Sequence, residues 1–391
     1  MKIIFFSLLG ILPFTFLSAQ DSTNTTVNPY QISFITPMGT NGYLAPKITN
    51  QLSINIFAGY NEGVNGLEVA GFANVLKGDL WGLQAAGFLN ANMGHSQGAQ
   101  FAGFSNFTRK KFNGGIQGSG FLNVIGSDAQ VLQLAGFLNV VNGKTSGLQA
   151  AGFSNISRGV NGGQFSGFAN FNTGKLEGLQ AAGFANFNAG SIKGAQISGF
   201  LNMAKDVNGF QIGIVNYCDE IKNGVPIGLI SIVKNGFKEF EIGGNESFYT
   251  TLSYKTGHRK FYNILSAGTS ISNNKIIWGF GYGIGSSLDL NEKLGMNLEL
   301  ISYHVNEDEP FTDYLNNLNK LNLTLSYPLS KTVEAYFGPT FNVLVSDNVA
   351  GIQESNTSSI VPWSFFDKTY DNDTRVVMYP GFTLGIRLKK N

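Results

Sequence analysis

The sequence is poor in cysteine, histidine and charge. Cys218 is the only cysteine among 391 residues, and His95, His258 and His304 are the only histidines. An intramolecular disulfide and a cysteine-based zinc cluster are therefore excluded, and the scattered histidines lack the spacing of metal ligands. Charged side chains make up only 13% of the chain, and the formal net charge is +1. This balance offers little attraction to phosphates, so we expect no nucleic-acid partner.

Long hydrophobic runs are missing beyond the first part of the chain. Residues 1–19 combine a single lysine, an apolar run and small residues at the end, which is typical of an export signal peptide. No later window offers 18 apolar residues, so any membrane span must be built from β-strands. Residues 20–30 are polar and are predicted to form a flexible N-terminal segment. Residues 31–65 are predicted to contain entry strands.

Sequence motifs of known catalytic sites are also missing. Neither the Gly-x-Ser-x-Gly nucleophile elbow nor the His-Glu-x-x-His zinc motif occurs in the chain. The stretch from Gly279 to Gly285 lacks the Lys-Ser/Thr pair of a phosphate-binding loop, so its glycines indicate a strand. We therefore predict a protein that is not an enzyme and that holds no metal and no cofactor.

Glycine and phenylalanine are abundant, with 50 and 33 copies. Between Gly66 and Asn216 the chain repeats the phrase Gly-x-Gln-x-Ala/Ser-Gly-Phe-x-Asn, with small edits and a shortened last copy. Turn residues such as Asn-Gly-Lys at 142–144 separate the copies, so each repeat is predicted to be one strand and one turn. The repeated phenylalanine recurs every 15 to 17 residues, at Phe72, Phe88, Phe104, Phe121, Phe137, Phe153, Phe168, Phe184 and Phe200.

Two all-β architectures fit such a repeat. In a solenoid each repeat stacks in parallel on the one before, whereas in a meander each strand runs antiparallel to its neighbour. A two-strand unit of about 32 residues favours the meander, because hairpins duplicate as units. The two-strand unit is visible in the residue that follows each repeated glutamine, or Glu68 in the first copy, because the size of this residue varies. It alternates between large and small, at Val69, Ala85, Phe101, Gly118, Leu134, Ala150, Phe165, Ala181 and Ile197.

Residues 234–391 lose the repeat but keep the period-2 pattern of strands with one apolar and one polar face. The strand around Trp278 places aromatic residues on one face and glycines on the other. Long connections at 305–317 and 346–379 contrast with short turns elsewhere, which is typical of an outer-membrane barrel. Eight strands are predicted, near 237–243, 247–256, 260–270, 275–289, 293–304, 319–328, 332–345 and 379–388.

The favoured fold class is an all-β, antiparallel meander, with repeats over 66–233, that closes as an outer-membrane-type barrel of about 20–22 strands. The alternative is a β-solenoid of 16-residue repeats followed by a smaller C-terminal barrel. In the first architecture the repeated glutamines line a lumen as a neutral polar wall for small solutes. In either architecture they can instead serve a structural role at strand ends and turns. These residues are Gln84, Gln100, Gln117, Gln133, Gln149, Gln164, Gln180 and Gln196.

Three features of the chain resemble the surface-repeat-containing proteins of Gram-negative bacteria. They are the Gly-Leu-Gln-Ala-Ala-Gly-Phe-x-Asn copies, the entry segment 49–74 and the segment 278–300. The C-terminal part is also similar to outer-membrane β-barrel proteins generally, although it ends in Leu-Lys-Lys-Asn and not in an aromatic residue. The resemblance implies an outer-membrane or surface location and supplies no catalytic residues.

The expected function follows from the favoured fold and the resemblance. We expect a non-enzymatic outer-membrane β-barrel protein that acts as a pore for small neutral solutes or as a structural surface protein. The expected partners are outer-membrane lipid and the barrel-insertion machinery. The alternative function is a surface-exposed solenoid, acting as an adhesin or interaction module on a small C-terminal barrel.

Overall fold

The chain folds almost entirely into β-strands, as expected. Its strands form two sheets, one of 25 strands and one of nine. The predicted export signal, residues 1–19, lies outside the described residues. The computed structural model describes residues 26–272, 275–291, 293–307, 311, 314–347, 360–370 and 374–389.

The larger sheet is wound as a solenoid. From β4 to β25, long strands of seven or eight residues (even numbers) alternate with short strands of three or four (odd numbers). In chain order the elements are β1 Thr26–Ile35, β2 Met38–Gly39, a 3-10 helix Gly42–Lys47, β3 Ile48–Asn61, β4 Gly63–Ala70, β5 Ala73–Leu76, β6 Leu80–Ala86, β7 Leu89–Asn92, β8 Ser96–Ala102, β9 Ser105–Thr108, β10 Phe112–Ser119, β11 Leu122–Ile125, β12 Ala129–Ala135, β13 Leu138–Val141, β14 Lys144–Ala151, β15 Ser154–Ser157, β16 Gly159–Ser166, β17 Ala169–Asn172, β18 Leu176–Ala182, β19 Ala185–Asn188, β20 Ile192–Ser198, β21 Leu201–Met203, β22 Asp206–Ile212, β23 Val215–Cys218, β24 Glu220–Ile227 and β25 Ile230–Val233.

Successive repeats of the solenoid run parallel. Each long strand pairs with the long strand of the next repeat, and each short strand pairs with the next short strand. Gln133 thus lies opposite Gln149, and Asn139 lies opposite Asn155. This pairing contradicts the meander and the single barrel of about 20–22 strands. It confirms the alternative, a solenoid of 16-residue rungs that precedes a smaller barrel.

The alternation of small and large residues has a packing cause. Phe101 lies beside Gly118 in the parallel register, and a Cβ atom built on Gly118 would lie 3.0 Å from Phe101 Cδ1. Phe165 likewise neighbours Ala150 on one side and Ala181 on the other. A large side chain on one rung covers its small neighbours on the adjoining rungs. The 32-residue period therefore reflects surface packing between rungs and not a duplicated hairpin.

The smaller sheet closes into a barrel. Eight of its strands run antiparallel in sequence order, and β26 pairs with β34 to complete the circle. Each of the eight predicted strands lies at one of these positions. The bounds are β26 Phe237–Asn245, β27 Thr250–His258, β28 Phe261–Ser272, β29 Lys275–Asn291, β30 Leu294–Glu307, β31 Asn316–Pro328, β32 Val333–Asp347 and β34 Thr374–Lys389, with a short additional strand β33 Phe366–Thr369 on β34.

The two ends of the barrel differ. One end carries the short connections β27–β28, β29–β30 and β31–β32, together with the start of β26 and the end of β34. The other end carries the connections β26–β27 and β28–β29, of four and two residues, and the predicted long connections 305–317 and 346–379, parts of which lie outside the described residues. We call the first the short-turn end. The solenoid enters the barrel there, because Val233 is followed after three residues by β26.

Candidate functional site

The eight glutamines singled out in the sequence lie together inside the solenoid, and each is fully buried. Seven of them donate a hydrogen bond from the side-chain amide to the glutamine of the preceding rung, as Gln149 Nε2 does to Gln133 Oε1 at 2.8 Å, and Gln84 donates to Glu68. Gln211, in the shortened copy, extends the row by donating to Gln196 Oε1 at 2.9 Å. The glutamines therefore form one continuous ladder along the solenoid and lie outside the barrel.

Glu68 ends this ladder on its N-terminal side. A row in which each amide donates backward needs a first member that accepts without donating, and a carboxylate is such a group. Gln84 Nε2 donates to Glu68 Oε2 at 2.8 Å, and Asn61 Nδ2 donates to Glu68 Oε1 at 2.7 Å. Glu68 is fully buried. Burial raises its pKa to about 7, although these hydrogen bonds oppose the shift.

The repeated asparagines form a second ladder of opposite polarity. Asn139 Nδ2 donates forward to Asn155 Oδ1 of the next rung at 2.9 Å. It also donates to the backbone carbonyl of Ala150 at 2.8 Å. That carbonyl lies near the bend between the long and the short strand. The asparagines thus bond backbone groups that the bend would otherwise leave without a partner.

The repeated phenylalanines stack on the outside of that bend, which we call the Phe edge. Gln149 and Asn155 point inward while Phe153, between them in sequence, is 41% exposed. The sequence left the facing of this residue open, and the chain bend at Gly152 and Phe153 places it outside. Adjacent rings are nearly parallel, as for Phe137 and Phe153, whose centroids lie 4.8 Å apart. This separation equals the spacing of paired strands.

The opposite edge of the solenoid, where one rung passes to the next, carries the charged residues. Lys144 lies exposed on this charged edge, and Lys111 pairs with Asp128 there. In nine consecutive copies, no charged residue occurs between the position before the glutamine and the end of the short strand, over 83–92, 99–108, 116–125, 132–141, 148–157, 163–172, 179–188, 195–204 and 210–218.

The barrel interior contains buried ions in place of the neutral amides of the solenoid. Lys255 Nζ lies 2.6 Å from both Glu241 Oε2 and Glu299 Oε1. Arg387 Nε lies 2.7 Å from Glu241 Oε2, and Tyr262 donates to Glu299 at 2.7 Å. Lys255 and Arg387 are each 1% exposed. Buried charges of this kind are tolerated only when they are paired and hydrogen-bonded.

Sequence reasoning missed this cluster, although a signal for it was present. Glu239 and Glu241 alternate with the exposed Phe240 and Ile242 on β26, and Arg387 lies between two exposed aliphatic residues on β34. Charges on the inward face of a strand whose outward face is apolar indicate an interior that holds ion pairs. Only barrel closure determines which charges meet.

The glycine-rich strand predicted from the sequence lies in the barrel wall. Its aromatic side chains point outward, and its glycines face the interior. A Cβ atom on Gly281 would lie 2.7 Å from Tyr303 Cδ1, and one on Gly279 would lie 2.9 Å from Phe248 Cζ. The glycines therefore make room for interior aromatic rings, which pack against the bare backbone.

The outer face of the barrel is apolar. On β31 the outward residues Leu321, Leu323 and Tyr327 are 42 to 48% exposed, whereas the intervening side chains are buried. Other strands repeat this pattern. The exposed apolar side chains include Phe240, Ile242, Leu252, Leu265, Phe280, Leu298, Leu300, Phe337, Phe341, Phe382, Leu384 and Ile386.

The last rung of the solenoid is bonded to the barrel wall. Asn263, an outward residue of β28, donates from Nδ2 to the carbonyl of Gly228 at 2.8 Å and accepts from the Ser231 amide at 2.8 Å. Tyr282, on β29, also donates to the Gly228 carbonyl, at 3.3 Å. These contacts provide partners for backbone groups at the end of the parallel stack, where an open sheet edge would otherwise remain.

Neither a protein-family model, a curated protein nor a solved structure matches this chain. None of the described segments is a helix long and apolar enough to cross a bilayer. Within the described ranges, no cluster of three or more His, Cys, Asp or Glu side chains could hold a metal ion.

Proposed function

We propose that this chain is a non-enzymatic outer-membrane protein in which the eight-stranded barrel is the transmembrane anchor and the solenoid is the module it carries. The observation that supports this most directly is the polarity of the barrel. Its outward side chains are apolar, and its paired charges lie inside. A barrel in water would be more stable with polar side chains outside and apolar side chains inside. A barrel in lipid requires apolar side chains on its outer face.

Strand length and the asymmetry of the ends support the same proposal. The shortest barrel strands have nine residues, and about 9–11 tilted residues suffice to cross a bilayer. Short turns at one end and longer connections at the other are the usual arrangement in outer-membrane barrels, whose short turns face the periplasm. The predicted export signal and the resemblance to surface-repeat proteins agree with this location. The barrel-insertion machinery is then a required partner.

The geometry favours an anchor over a pore. Arg387 lies with its guanidinium carbon 4.3 Å from the centroid of the Tyr336 ring, and together with Lys255 it is buried inside the barrel toward the short-turn end. An eight-stranded barrel is just wide enough for side chains to fill its interior. The proposed role is therefore to hold the solenoid at the membrane and not to pass solutes.

A second candidate is an interaction module, because solenoids present long regular faces to partners. If the short turns face the periplasm, the solenoid lies on that side too. This arrangement favours a partner within the cell envelope over an adhesin.

Membrane fractionation of Leu323→Arg tests the anchor. Arginine at the lipid-facing middle of a strand costs about 2–4 kcal/mol, so the variant should lose heat-modifiable gel migration and much of its membrane-associated yield. Thr332→Arg, in an exposed short turn, is the matched control and should behave as the unmodified protein. Equal insertion of both variants, or recovery of the unmodified chain only as a soluble species, would overturn the proposal. Steady ion conductance in planar bilayers would instead support a pore.

A further inference from the structure

The solenoid has the polarity of a membrane protein along its whole length. Toward the Phe edge its interior holds the Gln and Asn ladders, and apolar side chains such as Leu176 and Ile192 fill the interior toward the charged edge. Its outer surface beside the ladders carries Phe, Leu, Ile and Ala. Phe153 and Leu148 are 41% and 45% exposed on the same rung, and the repeated phenylalanine is exposed to a similar extent on every rung from Phe72 to Phe200. Soluble monomers rarely expose a contiguous apolar patch above a few hundred Å². The nine phenylalanines and the apolar side chains beside them form one continuous apolar surface, which another molecule must cover.

The distribution of charge on the solenoid favours a lipid bilayer as the cover of this apolar surface. They are concentrated at or near the charged edge, where lysine and arginine outnumber the acidic residues other than the buried Glu68. Lys144, Arg158 and Lys175 follow one another on successive rungs. A structure with basic residues along one edge and aromatic residues along the other matches the interface between headgroups and acyl chains.

The depth of the apolar part also suits one leaflet. From Leu148 to Phe153 the rung covers six residues without a charge. At about 3.3 Å per residue this is about 17–20 Å. One half of a hydrocarbon core about 30 Å thick is about 15 Å. A rung standing upright in a leaflet would reach from the headgroups to about the bilayer midplane.

The junction with the barrel sets the orientation. In stacked parallel strands the backbone amides and carbonyls point along the axis of the stack. On the last rung the Gly228 carbonyl and the Ser231 amide point to Asn263 and Tyr282 on the barrel wall. The solenoid axis therefore runs outward from the wall and across the barrel axis. The Phe edge of this rung meets the wall beside the exposed Phe280 and Leu265. The charged edge, at Lys234, lies at the short-turn end.

We propose that the solenoid is itself embedded in one leaflet of the membrane that the barrel spans. It lies in the leaflet at the short-turn end, with the Phe edge toward the bilayer midplane and the charged edge among the headgroups. The partner of the apolar surface is thus lipid. This inference rests on the proposed function, since it takes the barrel to be transmembrane.

Depth-dependent fluorescence quenching tests the proposal in the full chain. Single cysteines are introduced in a Cys218→Ala background at Phe153, at Lys144 of the same rung and at Leu323 on the barrel. Each is labelled with an environment-sensitive fluorophore. The protein is reconstituted in phosphatidylethanolamine–phosphatidylglycerol vesicles, with iodide as the aqueous quencher or acyl-chain nitroxide lipids as the membrane quencher. Phe137→Cys, one rung earlier, repeats the measurement independently if Phe153→Cys fails to fold.

The expected result is that the probes at Phe153 and Leu323 respond to the nitroxide lipids. Their iodide quenching should be about ten-fold weaker than at Lys144, because the hydrocarbon core excludes water and ions. A barrel probe in lipid with an iodide-accessible Phe153 probe would overturn this inference alone. Aqueous exposure of the Leu323 probe would overturn the proposed function. A Phe153 probe shielded from both quenchers would indicate a protein cover, such as a second copy of this chain, and would also overturn the inference.

Discussion

The solenoid and the barrel both bury polar side chains and expose apolar ones, but they satisfy the buried groups differently. In the solenoid the amides of the two ladders bond to their equivalents one rung away, as Gln164 does to Gln149 across 15 residues. In the barrel Arg387 meets Glu241 across 146 residues. Repetition suits neutral amides, which both donate and accept. Closure of a barrel brings unlike residues together and so permits opposite charges.

This difference predicts different responses to mutation. Each rung of a solenoid contacts mainly the rungs next to it, so a loss of structure at one rung spreads from that point along the stack. A closed barrel has no free edge, and a lost interior ion affects strands all round the circle. The following predictions separate the two behaviours by hydrogen exchange resolved into solenoid and barrel peptides.

The largest effect is expected from Gly178→Val in the solenoid. Gly178 has a φ of +131°, and a Cβ atom there would overlap the carbonyl oxygen of Gly162 on the preceding rung. The two rungs must separate, and we expect a loss of about 4 kcal/mol or more, since backbone clashes belong to the severe class. Solenoid peptides should lose protection while barrel peptides keep theirs. Gly114→Val is the control, because Gly114 also has positive φ but open space at its Cβ position. Equal effects would mean that strain and not rung contact dominates.

The second effect is expected from Arg387→Met in the barrel. Removal of the guanidinium leaves the buried Glu241 and Glu299 with Lys255 as their remaining ion-pair partner. Breaking a buried ion pair by removing one partner costs about 3–5 kcal/mol. Barrel peptides should exchange faster, and the heat-modifiable band should convert at lower temperature. Arg259→Met removes an exposed pair with Asp289 and should change little. Faster exchange throughout the solenoid would show that the two units unfold together.

A smaller effect is expected from Gln149→Leu. Gln149 Oε1 accepts from Gln164 and Ser157, and its amide donates to Gln133, so leucine leaves three buried groups without this partner. We expect a loss of about 3 kcal/mol, since each unsatisfied group costs about 1–3 kcal/mol. Exchange should increase around this rung. Gln130→Leu, at an exposed position, is the matched control. A stability equal to that of the unmodified chain would mean that the ladder contributes no net stability.

The smallest effect is a pH dependence that Glu68 gives to the N-terminal rungs. Because burial raises the pKa of Glu68 from 4.5 to about 7, the folded state holds a proton that the unfolded state loses. Stability therefore falls as pH rises from about 4.5 to about 7, by about 2 kcal/mol between pH 5 and 8. Exchange of peptides within 48–76 measures it.

Glu68→Gln should abolish this pH dependence. Glu177→Gln should retain it, because a hydrogen bond from Lys175 lowers the pKa of Glu177 and places its titration below that window. A pH dependence that persists in Glu68→Gln would contradict the assignment.

Much of the fold was predictable because side-chain periodicity is local. The 16-residue period and the positions of all eight barrel strands followed from spacing, turn residues and period-2 alternation. Each repeat was predicted to be one strand, whereas in the structure it bends at the Gly-Phe step into a long and a short strand. The shared face of Leu321 and Leu323 and the shared face of the glycines around Gly281 also followed from alternation, whereas barrel closure decided which face points outward. The mutual bonding of the eight glutamines did not, because period 16 fixes which residues are equivalent and leaves their contacts open.

The sequence by itself determined the repeat period, which residues share the apolar face of each barrel strand and that the charges avoid the repeated phrase. Only the tertiary structure decided the direction of neighbouring rungs, since Phe101 beside Gly118 produces the same alternation in a parallel stack as in duplicated hairpins. It also decided which ions meet, because Lys255 finds Glu299 only when the barrel closes. The physical reason is the same in both cases. The spacing of residues along the chain decides which side chains share a face of each strand, whereas the pairing of strands depends on contacts between residues that are distant in the sequence.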